Sequence, residues 1–581
     1  MNRFCRAAVM LSGAWICSPR TSAILAQSNQ VATREIHVTD YAISIDLPDS
    51  GAAINCDATL TVRQSGRNDT LTLDFIELHV QRVAVDGRET KFARTDSTIA
   101  IPISPTTPAT FKVRVVYAGV VTDGLIAHRD TAGRWTWFGD NWPNRARYWI
   151  PSIDLPSEKA TVSWTVTAPA GHVVVANGGS VENRVLPMSQ RRRVLSRWRE
   201  SKPITPYLMV IAAAPLVQLD LGQTACGFAE LARCVPQAVF AAPEQQKVLP
   251  GAFARAGDIV AFYASLVGPF PYEKLYHLQS ETRYGGMENA TAIFYADRFF
   301  RRKGVNEGTI AHETAHQWFG DAVTEREWPH VWLSEGFATY FAALWAQHAH
   351  GDSAFRDEME RLRSAILADT VAVAKRPVID TIEPVLINLL NHNSYDKGAW
   401  VLHMLRSELG DSVFFAGLRD YYSSHKHGTA LTDDLRLSLE RVSGKDLRSF
   451  FDQWLRRPGY PETAITWTMD PQQGIILTVN QGRRFGYFAF TLPVVVVDSR
   501  SNRHVSKIAV TATPVTRVQL SAEGDQTQRV LVDPDGTVLM GNLKPVSPPT
   551  AGNRSGNLPE IAVAAEVFPL KVFRRKLPTV E

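Results

Sequence analysis

Short runs in which apolar and polar residues alternate fill the chain from residue 30 to about 215. Tyr41–Leu47, Ala58–Arg63, Thr70–Phe75, Phe111–Tyr117, Thr161–Thr167 and Tyr207–Ala213 are such runs, set apart by prolines, glycines and pairs such as Asp86-Gly87. Alternation puts every second side chain on one face, so these runs read as strands, and their spacing suits sheets packed on sheets. Past residue 220 the period lengthens to three or four, in Phe253–Ser265, Gly308–Phe319, Ser334–Ala349, Phe355–Leu367, Ser394–Leu409 and, in pieces, Leu431–Leu455. That spacing predicts a mostly helical block, with Ser334 opening an amphipathic helix just ahead of Glu335. Pro458-Gly459-Tyr460-Pro461 ends the helices. A second strand-rich stretch follows, through Gly474–Val479, Phe485–Val497 and Arg529–Asp533, long enough for a small sandwich. No internal repeat or heptad is visible.

The expected organisation is therefore multidomain α+β. A β-rich N-terminal domain covers 30–217, a helical domain 218–461 and a β-sandwich 462–538, with an extended or partly disordered tail over 539–581. A length of 581 residues agrees, being too long for one hydrophobic core. With 62 Lys and Arg against 58 Asp and Glu, the net charge of +4 gives no support for a nucleic-acid partner. The basic runs Arg191–Arg193 and Arg301–Lys303 read as solvated loop faces. No apolar run is long enough for a transmembrane helix. Arg3 and Arg6 precede a short apolar stretch, Ala7–Cys17, and Ala26 offers a cleavage point, so residues 1–26 read as a signal peptide. A secreted or periplasmic location follows, or a cytoplasmic one if the leader is not functional. In an oxidising compartment Cys226 and Cys234 can form a disulfide.

The sharpest chemical signal is His312-Glu313-Thr314-Ala315-His316. On a helix, residues four apart share a face, so both imidazoles can reach one Zn²⁺ while Glu313 stands beside its water. Chance alone yields this pattern in about a few per cent of chains this long, so the surroundings matter. Glu335 lies nineteen residues after His316 and can supply a carboxylate as third ligand. Two imidazoles and one carboxylate leave a fourth tetrahedral position open, the arrangement of a catalytic zinc. The cysteines are too few and too distant for a closed structural site. Zinc would lower the pKa of water and polarise a carbonyl, with Glu313 moving the proton.

Several separated elements together resemble the gluzincin M1 aminopeptidases, the family of aminopeptidase N and leukotriene A4 hydrolase. Gly285-Gly286-Met287-Glu288-Asn289-Ala290 is similar to the family's exopeptidase motif, and His312 through Glu335 to its zinc motif. Trp318-Phe319-Gly320, Trp328 and Trp332 match the framework around it, and Tyr395-Asp-Lys-Gly398 the segment with the catalytic tyrosine. Arg147–Pro151 and Asp154-Leu-Pro156 resemble a strand and loop of the N-terminal domain. The resemblance implies a saddle-like N-terminal domain, a thermolysin-like catalytic domain and one Zn²⁺ per chain, held by His312, His316 and Glu335. It implies Glu313 as general base and Tyr395 as donor to the oxyanion. Glu288 would hold the α-amino group of a peptide with a free N-terminus, with Gly285, Gly286, Met287 and Asn289 lining the substrate. His330, His392 and the three tryptophans are read as structural or solvent-facing.

The chain also departs from the family. Where many members carry a glutamine that helps hold the substrate amino group, Trp142 stands, with Asp140 and Asn141 the nearest candidates to compensate. Asparagines common in the family are here Asp321 and Ser334, polar changes near the ligands. Only about 120 residues follow Pro461, so the family's large helical C-terminal domain is expected to be missing and the cleft to be more open. Two other readings stand beside the aminopeptidase. A zinc endopeptidase is opposed by the anionic anchor at Glu288, and a non-catalytic exported binding or scaffold protein by the intact base and ligands.

Overall fold

The computed structural model describes residues 35–543 except 67, 188–191, 226–233, 303–305, 471–473, 499 and 521–526. The leader, Cys226, Arg191, Lys303 and the chain past 543 lie outside the described residues. The alternating runs become strands whose buried positions fall on every second residue, as in Ala160–Pro169. They form an eight-stranded sheet in the order Gly179–Val185, Arg193–Ile204, Ala160–Pro169, Ile36–Asp46, Ala53–Gln64, Thr110–Val120, His79–Val85, Arg88–Thr90. Its neighbours are antiparallel except Ile36–Asp46 beside Ala160–Pro169, which run parallel with Tyr41 opposite Val162. Two smaller sheets complete this β-rich region, one of them ordered Val173–Ala176, Ile211–Ala214, Trp135–Gly139, Leu125–Arg129.

Two expectations here are corrected. Tyr207–Ala213 begins as a 3₁₀ turn, Pro206–Leu208, before the strand Ile211–Ala214. Pro206, with its fixed φ and missing N–H, favours the first position of such a turn. Arg147–Pro151 is a turn and loop rather than a strand. The Arg147 guanidinium is tied to Asp154 at 3.1 Å.

The middle region opens with a five-stranded sheet that the periodicity did not predict, ordered Val217–Thr224, Val235–Ala241, Leu275–Ser280, Ala292–Ala296, Gly286–Met287. Ala292–Ala296 is buried at all five positions. Strands covered on both faces lose the alternation that reveals strands elsewhere. The longer helices are α1 (Ala256–Val267), α2 (Glu307–His316), α3 (Trp332–His350), α4 (Asp352–Ala368), α5 (Gly398–Leu409), α6 (Asp411–His425), α7 (Thr432–Ser443) and α8 (Arg448–Leu455). Helix α3 starts at Trp332, ahead of Ser334, and every residue from Trp332 to Phe341 is buried. It is therefore a core helix, not an amphipathic one, and Ser334 is not its cap. Beyond it, Glu462–Asp470, Gly474–Gln481 and Val515–Leu520 pair in one sheet, and Phe490–Asp498, Arg503–Val510 and Thr527–Val532 in another. Ile475, Leu477 and Val479 pack against Leu492, Val494 and Ile508 to form the sandwich core. Gly541–Asn542 adds a parallel strand beside Glu462–Thr463, so this sheet runs past residue 538.

Buried histidines are expected to make the fold acid-sensitive. His277 is fully buried and bonded to the Tyr295 hydroxyl at 2.9 Å and the Gln237 side-chain carbonyl at 3.3 Å. Burial brings its pKa down to about 3. Burial likewise lowers His330, His403 and His427, each to about 4. In the unfolded chain these rings take up protons near pH 6.5, whereas the native state holds them neutral, so stability falls as the pH drops from about 6.5 toward 4. Denaturant midpoints should fall over that window, and His277→Gln should flatten the slope. An unchanged slope in the variant would remove His277 from this account.

Candidate active site

Helix α2 begins where the Asn306 side chain accepts the Thr309 N–H at 2.7 Å. Ile310, Ala311 and Ala315 are buried, which turns His312 and His316 together toward the first turn of α3. The two Nε2 atoms lie 3.2 Å apart, and Glu335 Oε2 lies 3.3 Å from His312 Nε2 and 3.4 Å from His316 Nε2. Three corners of a tetrahedron with ligand distances of about 2.0–2.1 Å are about 3.3–3.4 Å apart, so this triangle fits a zinc ion. Glu335 Oε2 is buried without a hydrogen bond, as an oxygen reserved for a cation would be. Burial pushes the Glu335 carboxyl up, but His316 and His312 outweigh it and bring it down to about 2, so it is an anion. The Phe319 carbonyl at 3.2 Å and the Ser334 hydroxyl at 3.0 Å meet His316 Nδ1, orienting the ring so that Nε2 faces His312 and Glu335.

Glu313, between the two histidines, and Glu288, from the loop after the edge strand Gly286–Met287, face the same space. One oxygen of each lies within 4.8 Å of the other and of a His316 nitrogen. Burial raises the Glu313 carboxyl well above its ordinary range and lifts Glu288 to about 7. Gln317 joins this loop to the zinc-motif helix: its Nε2 donates to the Glu288 carbonyl at 2.9 Å and to Asp321 Oδ2 at 2.8 Å. Asp321 thus supports the loop through its side chain, while its backbone N–H donates to the His316 carbonyl at 3.0 Å. A Cβ at Gly286 would collide with the Glu313 carboxylate. Gly286→Ala should therefore lower kcat by displacing Glu313, with little loss of stability, which activity and thermal melting of one preparation would separate.

Tyr395 sits in a π-helical turn, Asn393–Lys397, that leads into α5. Such turns re-aim side chains and recur at functional sites. Its ring stacks on His312 with centroids 5.9 Å apart. The close approach depends on two glycines: a Cβ on Gly336, next to Glu335, would meet the Gly398 backbone at 3.0 Å. Burial keeps the Tyr395 phenol protonated, with the Glu335 charge adding to the effect.

These groups line one cleft of about 980 Å³, together with Trp142, Tyr284, Gly285, Gly286, Met287 and Phe299. Asn289 is fully buried and does not line it. Asp140 and Asn141 do not line it either. Asp140 is held by Arg145 at 2.8 Å and Thr282 at 2.9 Å, and Asn141 bonds the Met209 carbonyl at 2.7 Å and the Trp149 indole at 2.8 Å. Trp318, Trp328 and Trp332 are buried framework, and Trp142 packs edge-on to Trp328 at 5.4 Å. His330 is structural, bonded to the Thr432 hydroxyl at 2.8 Å. His392, by contrast, lines the cleft and is bonded to Asp396. Sequence reasoning missed this pair, Gln317, and Arg361 of α4, which also lines the cleft. The i, i+4 spacing of His392 and Asp396 was the available signal.

Residues 38–208 match the Peptidase M1 N-terminal domain, and residues 254–454 match the Peptidase family M1 domain. "Aminopeptidase N" of Streptomyces lividans is 28% identical over 472 residues, 76% of this chain and 52% of that protein. "Aminopeptidase 2" of Candida albicans is 22% identical over 475 residues, 78% of this chain and 50% of that protein. The chain spans about half the length of the curated relatives it matches. The crystal structure of Legionella pneumophila aminopeptidase A in complex with aspartic acid shares the fold, with a TM-score of 0.76 at 17% identity. The match covers 90% of this chain and 61% of that one. The two successive family matches, on a fold that brings two histidines and a glutamate into a zinc-sized triangle, show that the chain belongs to peptidase family M1.

Proposed function

We propose that the protein is a zinc aminopeptidase that hydrolyses the first peptide bond of peptides with a free N-terminus. The observation that carries this reading is a second buried carboxylate, Glu288, beside Glu313 and His316. A metalloprotease needs one base, and a further anion in a buried cleft calls for a cation to meet it. The substrate α-ammonium is that cation, and its capture sets how far the chain can enter before cleavage.

His312, His316 and Glu335 would hold one zinc, which lowers the pKa of water and polarises the scissile carbonyl. Glu313 takes the proton of the attacking water and hands it to the departing amine, a role suited to a carboxylate whose pKa is raised by burial. Tyr395 donates its hydroxyl to the oxyanion that develops at the carbonyl. Gly286 has no side chain, which leaves the Glu313 carboxylate the space it occupies. Among the described residues no helix is long and apolar enough to cross a membrane. The leader-like start and a disulfide at Cys234 support export to an oxidising compartment.

Initial rates on one short peptide, free and N-acetylated, with a chelated sample as control, test the proposal. Cleavage of the free form far faster than of the acetylated one, abolished by chelation and restored by zinc, is expected. Equal cleavage of both forms would make the protein an endopeptidase and remove the role given to Glu288.

A further inference from the structure

The cleft extends past the triad. Glu335, Thr339, Ala342 and Ala346 recur at helical spacing on α3 and all line it. The floor therefore continues for about 16 Å of helix rise beyond Glu335, surfaced by small side chains. The triad has two flanks. His316 lies beside Glu288, while His312 stacks on Tyr395. With the amino end of a substrate on the Glu288 flank, its leaving part runs along the Tyr395 flank. There the wall is formed by Glu358 and Arg361 of α4 and by His392 and Asp396.

Arg361 is the one arginine or lysine among the described residues lining a cleft that also carries Glu288, Glu313, Glu335, Glu358 and Asp396. Its Nε and Nη2 donate to Glu358 at 3.0 and 2.7 Å. A guanidinium has five N–H donors, and Nη1 makes no hydrogen bond to the described residues, so a second carboxylate can be taken without displacing Glu358. The side chain is 59% exposed and able to swing toward a ligand. Asp396, which follows Tyr395 directly, attracts the guanidinium to this flank and also holds His392.

We infer that Arg361 binds a carboxylate carried by the substrate beyond the scissile bond, making this a site for zwitterionic or acidic peptides held at both ends of the cleft. The inference rests on the aminopeptidase reading. The carboxylate has two possible sources, the C-terminus of a short peptide or an acidic side chain after the scissile bond.

The test uses the zinc-loaded full chain and two substrate pairs. One is a tripeptide of alanines as free acid and as C-terminal amide. The other is the amide with glutamate or with glutamine in second position. The wild type should favour the carboxylate member of at least one pair by about tenfold or more in kcat/KM, as a charge-assisted contact predicts. A preference in the first pair identifies the C-terminus, and in the second the side chain. Arg361→Ala should bring that ratio close to one, and Arg361→Lys should restore part of it. The ratio cancels any general loss of catalysis or folding, which lowers both rates alike. Ratios near one in the wild type, or a preference that survives Arg361→Ala, overturn the inference and leave the aminopeptidase reading standing. Failure to cleave any of the four peptides overturns both.

Discussion

Glu313→Gln is expected to lower kcat by about 10²–10⁴-fold, the contribution typical of a positioned general base, while zinc content stays at the wild-type level. The amide keeps the shape of the side chain but cannot accept a proton. Glu313 is 6% exposed and its carboxyl already sits well above the ordinary range because of burial, so a neutral replacement adds no desolvation cost to folding. The loss should therefore appear in turnover and not in the melting temperature. His312, His316 and Glu335 are untouched, and metal analysis of the purified variant should find the same zinc per chain. A kcat within about threefold of wild type would mean that another group moves the proton.

Glu288→Gln is the second large effect, and it falls on a different quantity. The proposed ammonium–carboxylate contact is buried, and removing one partner of such a pair costs about 2–5 kcal/mol, roughly 30- to several-thousand-fold in kcat/KM. The penalty should fall on peptides with a free N-terminus. Acetylated peptides, which present no ammonium, should lose little, so the free-to-acetylated ratio collapses toward one. Measuring kcat/KM for both forms in both proteins gives that ratio. A ratio that stays at the wild-type value would show that the amino end is recognised elsewhere. Trp142 and Tyr284, whose rings pack edge-on at 6.0 Å on the same side of the cleft, would then be next to examine.

The two candidate histidine ligands were legible because their geometry is local. His312 and His316 are one helical turn apart, and that spacing alone brings two imidazoles to one point. Glu288 was legible only through a distinctive string of residues, since nothing about its local spacing places it near the zinc helix. The structure supplies the connection through Gln317, whose amide reaches back to the Glu288 carbonyl. Ser334 was expected to open a helix because local composition favours it. Tertiary burial overrides that, starting α3 at Trp332 and turning the hydroxyl onto His316. Asn289 shows the reverse case: it lies next to Glu288 in sequence yet is buried away from the cleft.

By itself the sequence determined the succession of β-rich, helical and β-rich regions, because alternation and three-to-four periodicity record which face of each element is buried. It also determined the two-histidine, one-glutamate donor set that the fold brings together. The five-stranded sheet of the middle region was invisible, since strands covered on both faces carry no period to read. Only the tertiary structure decided what stands around the metal site. The π turn that presents Tyr395, the Gly336–Gly398 contact that brings it to His312, and the meeting of Arg361, His392 and Asp396 on one wall join segments distant in sequence. Such contacts depend on how helices cross and how closely their backbones approach, and residue spacing within one element does not encode that.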